Sequence, residues 1–289
     1  MKAIKTQMEL YEKATILDAK NTYENELIAN QFYSEENEEL EALANTMLDL
    51  YIKINSIKSD TDIKVVETFA GACPVLKGVI KNSHGHKNIK TIAIDYSDYA
   101  SKLVETKYPY IDFINKDVCD KSIIKDIGKN TVDMIMSGHC SFGYLNMYNA
   151  KEHLKLMSKI LKPGGIYFIC LGDMLQCDDG VSRDNYLEWN LEEEENKFLN
   201  CKLVSTDFVK DEDFNSSTKT HVYAWALQDF SKVWLSEHIF TIHNPIYYDV
   251  WKSELGFSEV VSVCKDYNED ICTVDIKDLD DLGVIGLIK

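Results

Sequence analysis

Three acidic side chains fall at the ends of short Val/Ile-rich runs, and their placement is the first chemical signal in the sequence. Glu67 lies near the end of Ile63–Phe69, just before Ala70-Gly71-Ala72-Cys73-Pro74; Asp95 closes Ile89–Ile94; Asp117 follows Tyr110–Ile114. If those runs are neighbouring parallel strands, the carboxylates share one rim of a sheet, where ligands of open α/β folds bind. Asp95 there can accept from two ribose hydroxyls, and Asp117 can receive an exocyclic adenine amine, because a carboxylate only accepts and has several lone-pair sites. Each acid alone is more often a helix cap or a solvated turn residue; three at the ends of consecutive strands point to a nucleoside. The turn after the first run has Gly71 as its single glycine, whereas a pyrophosphate fingerprint needs three as G-x-G-x-x-G. It therefore suits a ligand without phosphate, or no ligand at all.

Groups able to take a proton near neutral pH are histidines. His139 follows Val132–Met136, His221 and His238 lie in later strand-like runs, and His243 lies just after them. Strand alternation puts Trp234, Ser236, His238 and Phe240 on one face. That face is an aromatic pocket around His238 on one reading, and ordinary packing with a satisfied histidine on the other. Tyr144 is a candidate for orienting a substrate, or a half-buried packing residue. Tyr11, Tyr23 and Tyr33 offer aromatic faces to a cationic ligand.

The elements that would position these groups follow from periodicity. Glu35–Ile57 has apolar residues every three or four positions (Leu40, Leu43, Met47, Leu50, Tyr51, Ile54), one face of an amphipathic helix. Met8–Phe32 is less regular and reads as short helices or a cover. From Ile63 onward, five short apolar runs, the last two being Val132–Met136 and Ile166–Leu171, alternate with helical stretches at Leu76–Lys81, Tyr99–Lys107, Ser122–Ile127 and Ala150–Leu161. Continuous Val/Ile runs separated by helices are the pattern of parallel strands buried on both faces. The expected fold is α/β, a doubly wound seven-stranded mostly parallel sheet with N-terminal helices and a three-stranded antiparallel insertion. Leu203–Val209, Thr220–Leu227 and Val233–Ile242 form the insertion, after an acidic helix at Glu188–Lys197. Ile246–Leu255 is a helix stopped at Gly256, and Phe257–Cys264 with Ile271–Ile276 completes the sheet. The expected domains are a helical cap over 1–60, a cofactor-binding unit over 61–174 and 243–289, and an inserted substrate-side unit over 175–242.

With 31 basic against 48 acidic residues, the 289-residue chain carries a formal net charge of −17. Such a field repels phosphate backbones and anionic lipid, so nucleic-acid and membrane partners are not expected. The start has no apolar core of a secretory signal and no run is long enough for a bilayer. Eight cysteines stand singly without a C-x-x-C pair, which reads as buried thiols in a reduced, cytoplasmic protein with no metal.

At this point the motifs resemble those of the class I S-adenosylmethionine-dependent methyltransferases, whose first strand ends in E/D-x-G-x-G-x-G. Val65-Val66-Glu67 matches the strand end and Gly71 the middle glycine, while Phe69 and Cys73 replace the outer two. Ile92-Ala93-Ile94-Asp95 matches the ribose-binding strand end and Asp117-Val118 the adenine side. Leu161-Lys162-Pro163-Gly164-Gly165 matches the entry to the fifth strand, and Ser253-Glu254-Leu255-Gly256-Phe257 resembles the turn before the sixth. Within the superfamily, Ser141-Phe142-Gly143-Tyr144-Leu145 and the antiparallel insertion are similar to those of small-molecule N-methyltransferases acting on amino sugars or glycine. Tyr33-Ser34-Glu35-Glu36 resembles their N-terminal cofactor-side helix.

The resemblance implies S-adenosyl-L-methionine as cofactor and an amine-bearing small-molecule acceptor, with a monomer or homodimer as the assembly. It implies a cofactor side made of Tyr33, Glu67, Phe69, Ala70, Gly71, Asp95, Tyr96, Asp117, Val118, Ser137 and Gly138. His139, Tyr144 and His238 are the catalytic candidates. The two replaced glycines would put Phe69 and Cys73 in the path of the methionine part. A protein or peptide methyltransferase is the alternative, as is a weakly catalytic or inactive binding protein of the same fold. A dehydrogenase is disfavoured because the turn lacks a pyrophosphate clamp.

Overall fold

The computed structural model describes residues 12–29, 38–81, 88–138, 141–171, 198–211, 216–227, 229–244, 246–265, 271–275 and 283–289. The chain divides into two compact units, Glu35–Gln176 with His243–Lys289, and Met1–Ser34 with Cys177–Ile242.

The larger unit is built on an eight-stranded mixed sheet flanked by helices. Helix α1 (Glu38–Asn55) precedes β1 (Ile63–Thr68), followed by α2 (Pro74–Lys81), β2 (Ile89–Asp95), α3 (Asp98–Lys107), β3 (Asp112–Asn115), α4 (Ile123–Ile127), β4 (Val132–Ser137), α5 (Met147–Ile160) and β5 (Leu161–Cys170). Helix α6 (Ile246–Leu255) and strands β6 (Glu259–Lys265), β7 (Ile271–Asp275) and β8 (Val284–Ile288) complete it. In spatial order the strands run β7-β6-β8-β5-β4-β1-β2-β3. Strands β1 to β5 are mutually parallel, and β6, β7 and β8 join antiparallel. The sequence leads to seven strands; the eighth is Val284–Ile288, which inserts between β5 and β6 and moves Ile271–Asp275 to the edge. The order of connection reverses between β1 and β4, the place where such a sheet opens a crevice at its carboxyl end.

Apolar residues alternate between two cores, one on each face. Val66, Ile92, Ile94 and Ile135 pack with α5 and Phe142 on one face, and Val65, Ala93, Met134 and Phe168 with α1 and α2 on the other. Close approach of α1 to α2 requires Gly78, where a Cβ would lie 2.5 Å from the Glu41 carbonyl oxygen. Pro74 opens α2, where its missing N–H has no intrahelical acceptor to lose. Gly256 ends α6 at φ +90°, as the sequence leads one to expect. Ile54, read as part of the buried face of α1, is exposed.

The smaller unit is a four-stranded sheet. Phe198–Asp211, Ser216–Leu227 and Val233–Ile242 form an antiparallel meander, and Thr15–Asp18 pairs parallel with the last of them. The fourth strand is an addition to the three expected. It has only four residues, mostly exposed, so periodicity cannot reveal it. One face holds Val222, Ala224, Ala226, Val233 and Leu235; Ile28, Trp225 and Trp234 pack on the other. Among the described residues no helix is long and apolar enough to cross a membrane.

Candidate functional site

Parallel register brings the rim residues together. Thr68 pairs with Ile94 on one side and Ser137 on the other, and Asp95 pairs with Asn115. Glu67, Gly71, Asp95, Ser137 and Gly138 thus gather at the carboxyl ends of adjacent strands, with Asp117 two residues beyond β3.

The turn from Phe69 to Cys73 is wound left-handed at alternate residues: φ is +56° at Phe69, +47° at Gly71 and +59° at Cys73. These are the three glycine positions of the E-x-G-x-G-x-G pattern, so the backbone keeps the shape of that turn after losing two of its glycines. An L-residue held there costs about 1–2 kcal/mol. Packing offsets the cost, since the two side chains leave on opposite faces of the sheet. The Phe69 ring joins the core around Phe142 and His153, and the Cys73 thiol is fully buried among Leu40, Val75 and Leu76. Cys73 is thereby withdrawn into the core, whereas Phe69 stays half-buried at the turn.

Asp95 braces the turn. One carboxylate oxygen accepts from the Gly71 amide at 3.0 Å and the other from the Ser97 amide at 2.9 Å. Ser97 in turn caps α3 through the Ala100 amide. With one amide on each oxygen, the carboxylate is held in a fixed orientation at the rim. Asp117 is exposed and accepts from the Cys119 amide at 2.8 Å, a turn-capping bond that fixes the orientation of its carboxylate. Tyr96 is half-buried beside Asp95, Val118 is buried, and Ala70 is buried with its amide bonded to the Ile94 carbonyl. Gly138 is packed so closely that a Cβ would lie 2.9 Å from Leu40.

Glu67 sits lower than the other acids. It is 2 % exposed, and its two oxygens accept from the Val75 and Leu76 amides at 3.3 and 3.0 Å, at the start of α2. Burial pushes its carboxyl up to about 8 against the pull of those two amides. Its side chain supports the turn from beneath.

Of the catalytic candidates, Tyr144 ends a short 3-10 turn, Ser141–Tyr144, and is half-buried. His139 and Tyr33 lie outside the described residues. His238 belongs to the smaller unit, opposite His221, with Tyr223 and Tyr23 edge-on and Phe240 stacked alongside. Its Nε2 meets the Ser236 hydroxyl, which meets Thr22 at 2.8 Å, and Thr22 reaches the Asp18 carbonyl at 2.7 Å. A carbonyl only accepts, so Thr22 donates to it, Ser236 donates to Thr22, and His238 donates from Nε2. Burial lowers His238 to about 4, so the ring is neutral with its lone pair on Nδ1.

His153, which sequence reasoning passed over, is the fully buried histidine beneath the rim. Its Nδ1 lies 2.9 Å from the Val118 carbonyl oxygen and its Nε2 2.9 Å from the Tyr167 hydroxyl. Its position on the apolar face of Ala150–Leu161 was the one available signal. Among the described residues no three His, Cys, Asp or Glu side chains gather as a metal site would need.

No family model matches the sequence, and no curated protein does. Solved structures do match. The sugar N-methyltransferase KedS8 of Streptoalloteichus superposes with a TM-score of 0.61 at 12% identity, covering 90% of this chain and 92% of that one. DesVI of Streptomyces venezuelae gives 0.60 at 13%, covering 90% and 96%. CalS10, a SAM-bound amino pentose methyltransferase of Micromonospora echinaspora, gives 0.58 at 11%, covering 90% and 96%. The chain therefore has a Rossmann-like class I methyltransferase fold.

Proposed function

We propose that the protein transfers a methyl group from S-adenosylmethionine to the nitrogen of a small amine-bearing acceptor. The observation that carries this reading is the turn after β1, which holds three left-handed residues against a bracing Asp95 although two are not glycine. A turn serving only to link a strand to a helix has no need of that costly shape. The sugar and amino pentose acceptors in the names of two structural neighbours favour a small amine substrate.

When bound, the cofactor supplies a methyl group already activated by the positive sulfonium. The residues then have to bind, orient and exclude water. Asp95, fixed by the Gly71 and Ser97 amides, would accept the ribose hydroxyls, and Asp117, fixed by Cys119, would take the adenine edge. Tyr144 would orient the acceptor. His238, with Tyr23 and Tyr223 edge-on and Phe240 stacked beside it in the smaller unit, would be the base in the sequence-based reading, although burial, by lowering it to about 4, weakens it as a proton acceptor near neutral pH.

Isothermal titration with S-adenosylmethionine and S-adenosylhomocysteine tests the reading. Saturable binding is expected, and Asp95→Ala should weaken it by about 1–3 kcal/mol. Absence of binding at high protein concentration would overturn the proposal. Methyl transfer to a panel of amino sugars and glycine, compared with transfer to a desalted macromolecular extract, separates a small acceptor from a protein one.

A further inference from the structure

The rim residues are joined by a hydrogen-bond chain that none of the rim acids enters. Thr68 Oγ1 lies 3.0 Å from the Tyr167 hydroxyl and 3.3 Å from the Met136 carbonyl oxygen, and Tyr167 meets His153, which meets Val118. The direction follows from the acceptor at its end. The Val118 carbonyl can only accept, so His153 carries its proton on Nδ1. Burial keeps the ring neutral, lowering it to about 4, so Nε2 is a lone pair and Tyr167 donates to it. Thr68 has one proton for two acceptors, the Tyr167 oxygen and the Met136 carbonyl, and so shares it between them. The chain links β1, next to the left-handed turn, through β5 and α5 to the bend after β3. The Phe69 ring also leans on His153, with centroids 5.7 Å apart at 52°.

We propose that His153 is a positioning residue for the adenine end of the cofactor: through Val118 it sets the Asp117–Val118 backbone at a fixed distance from the β1 turn. The inference rests on the reading that this rim holds S-adenosylmethionine. His153 is itself 0 % exposed, so it acts through another residue.

Three variants test it, with S-adenosylhomocysteine as the titrant. His153→Asn keeps an amide donor near the position of Nδ1, His153→Leu has none, and Tyr167→Phe removes only the hydroxyl that orients the ring. The Leu variant should bind about tenfold more weakly, roughly one misplaced backbone hydrogen bond. The Asn variant should stay within about threefold of the wild type, although both lose the Tyr167 partner and should melt at similar temperatures. Where turnover is measurable, the loss should appear in the cofactor KM with kcat nearly unchanged. Equal affinity in all variants, or weakening that follows melting temperature and ignores the donor, would overturn the positioning role. If the Leu variant does not fold, the Asn and Phe variants decide: wild-type affinity in Tyr167→Phe together with a large loss in Asn refutes the chain. Failure of the underlying reading looks different, because then the wild type does not bind, or Asp95→Ala binds as well as it does.

A separate observation carries a second inference. Cys264 on β6 and Cys272 on β7 are register partners, with Sγ atoms 3.3 Å apart. Directly opposed antiparallel residues have Cα atoms about 4.5–5.5 Å apart, within the roughly 4.4–6.8 Å that a disulfide spans. We infer that the pair is a modification site that a hydroperoxide converts to a disulfide. With hydrogen peroxide, one thiolate attacks a peroxide oxygen, giving a sulfenic acid and a hydroxide that takes up the proton the thiol released and becomes water; the partner thiol's sulfur then displaces the sulfenic hydroxyl, which leaves with the partner's own proton as a second water. Two thiols are oxidised by two electrons and the peroxide is reduced. After treatment with stoichiometric hydrogen peroxide and alkylation of the remaining thiols, peptide mapping should find Cys264 linked to Cys272. The link should vanish with dithiothreitol and in Cys272→Ser. Recovery of both cysteines as alkylated or singly over-oxidised residues would overturn the inference.

Discussion

The two ends of the parallel sheet each bury a carboxylate, and they treat it in opposite ways. At the amino end, Asp133 is 5 % exposed and receives the Lys162 ammonium at 2.8 Å on both oxygens, together with the Tyr51 hydroxyl and the Lys64 amide. At the carboxyl end, Glu67 is as deeply buried but its donors are two neutral amides. A cation at bonding distance keeps a buried carboxylate charged, whereas amides alone leave burial to favour the protonated form. The recognisable Lys162-Pro163-Gly164-Gly165 string therefore belongs to the framework end, where Lys162 secures Asp133 and a Cβ on Gly165 would lie 2.9 Å from the Lys162 carbonyl. The departures from pattern collect at the end where the ligand is proposed to bind.

The sharpest way to break this contrast is to make the same isosteric change at both ends. Asp133→Asn removes the charge that Lys162 faces and sets an amide donor against three donors. It should cost about 3 kcal/mol in urea denaturation. Glu67→Gln changes a side chain that is mostly protonated at pH 7 and gives up one amide bond, so it should cost about 1 kcal/mol. Equal costs would mean that Glu67 is charged in the folded protein after all.

Varying pH probes the same difference with a smaller effect. The folded value of Glu67, about 8, lies above the ordinary 4.5. The stability that the protonated form contributes is thus complete below about pH 4.5 and lost as pH rises to 8. His153 and His243, each lowered to about 4 by burial, act in the other direction: their contribution is present above pH 6.5 and lost as pH falls to 4. Stability of the larger unit should rise from pH 4 to about 6.5 and then fall by about 2 kcal/mol up to pH 8. In Glu67→Gln the upper fall should disappear while the lower rise remains. A fall that persists in that variant would remove Glu67 as its source.

How much of this was legible in the sequence depends on range. Strands buried on both faces announce themselves as apolar runs, so β1 to β5 and their helices could be placed, as could Asp95 and Asp117 at strand ends. Val284–Ile288 is also apolar, but nothing local says that it enters between β5 and β6 instead of following β7. The direction of the Glu67 carboxylate, under the turn toward α2, depends on where the Val75 and Leu76 amides point. His153 looks like one more residue on an apolar helix face, because its partners at Val118, Tyr167 and Thr68 are supplied by other elements. At Phe69 and Cys73 the sequence shows two lost glycines, but not that tertiary packing nevertheless holds both residues left-handed.

The smallest expected effect compares the turns themselves. Gly164 at the framework end has φ +78° and Cys73 at the ligand end has φ +59°. Elsewhere in a chain, alanine is usually the more stabilising of the pair alanine and glycine, since it restricts the unfolded state. At a left-handed position the order reverses, because the Cβ meets the following carbonyl. Cys73→Gly should therefore be more stable than Cys73→Ala by about 1 kcal/mol, and wild-type Gly164 more stable than Gly164→Ala by a similar amount. Because both variants at position 73 lose the same thiol, their difference isolates the backbone from the packing of sulfur. Alanine proving the better residue at 73 but not at 164 would show that the turn beside Asp95 relaxes out of its left-handed form, and with it would go the main support for a nucleoside cradle there.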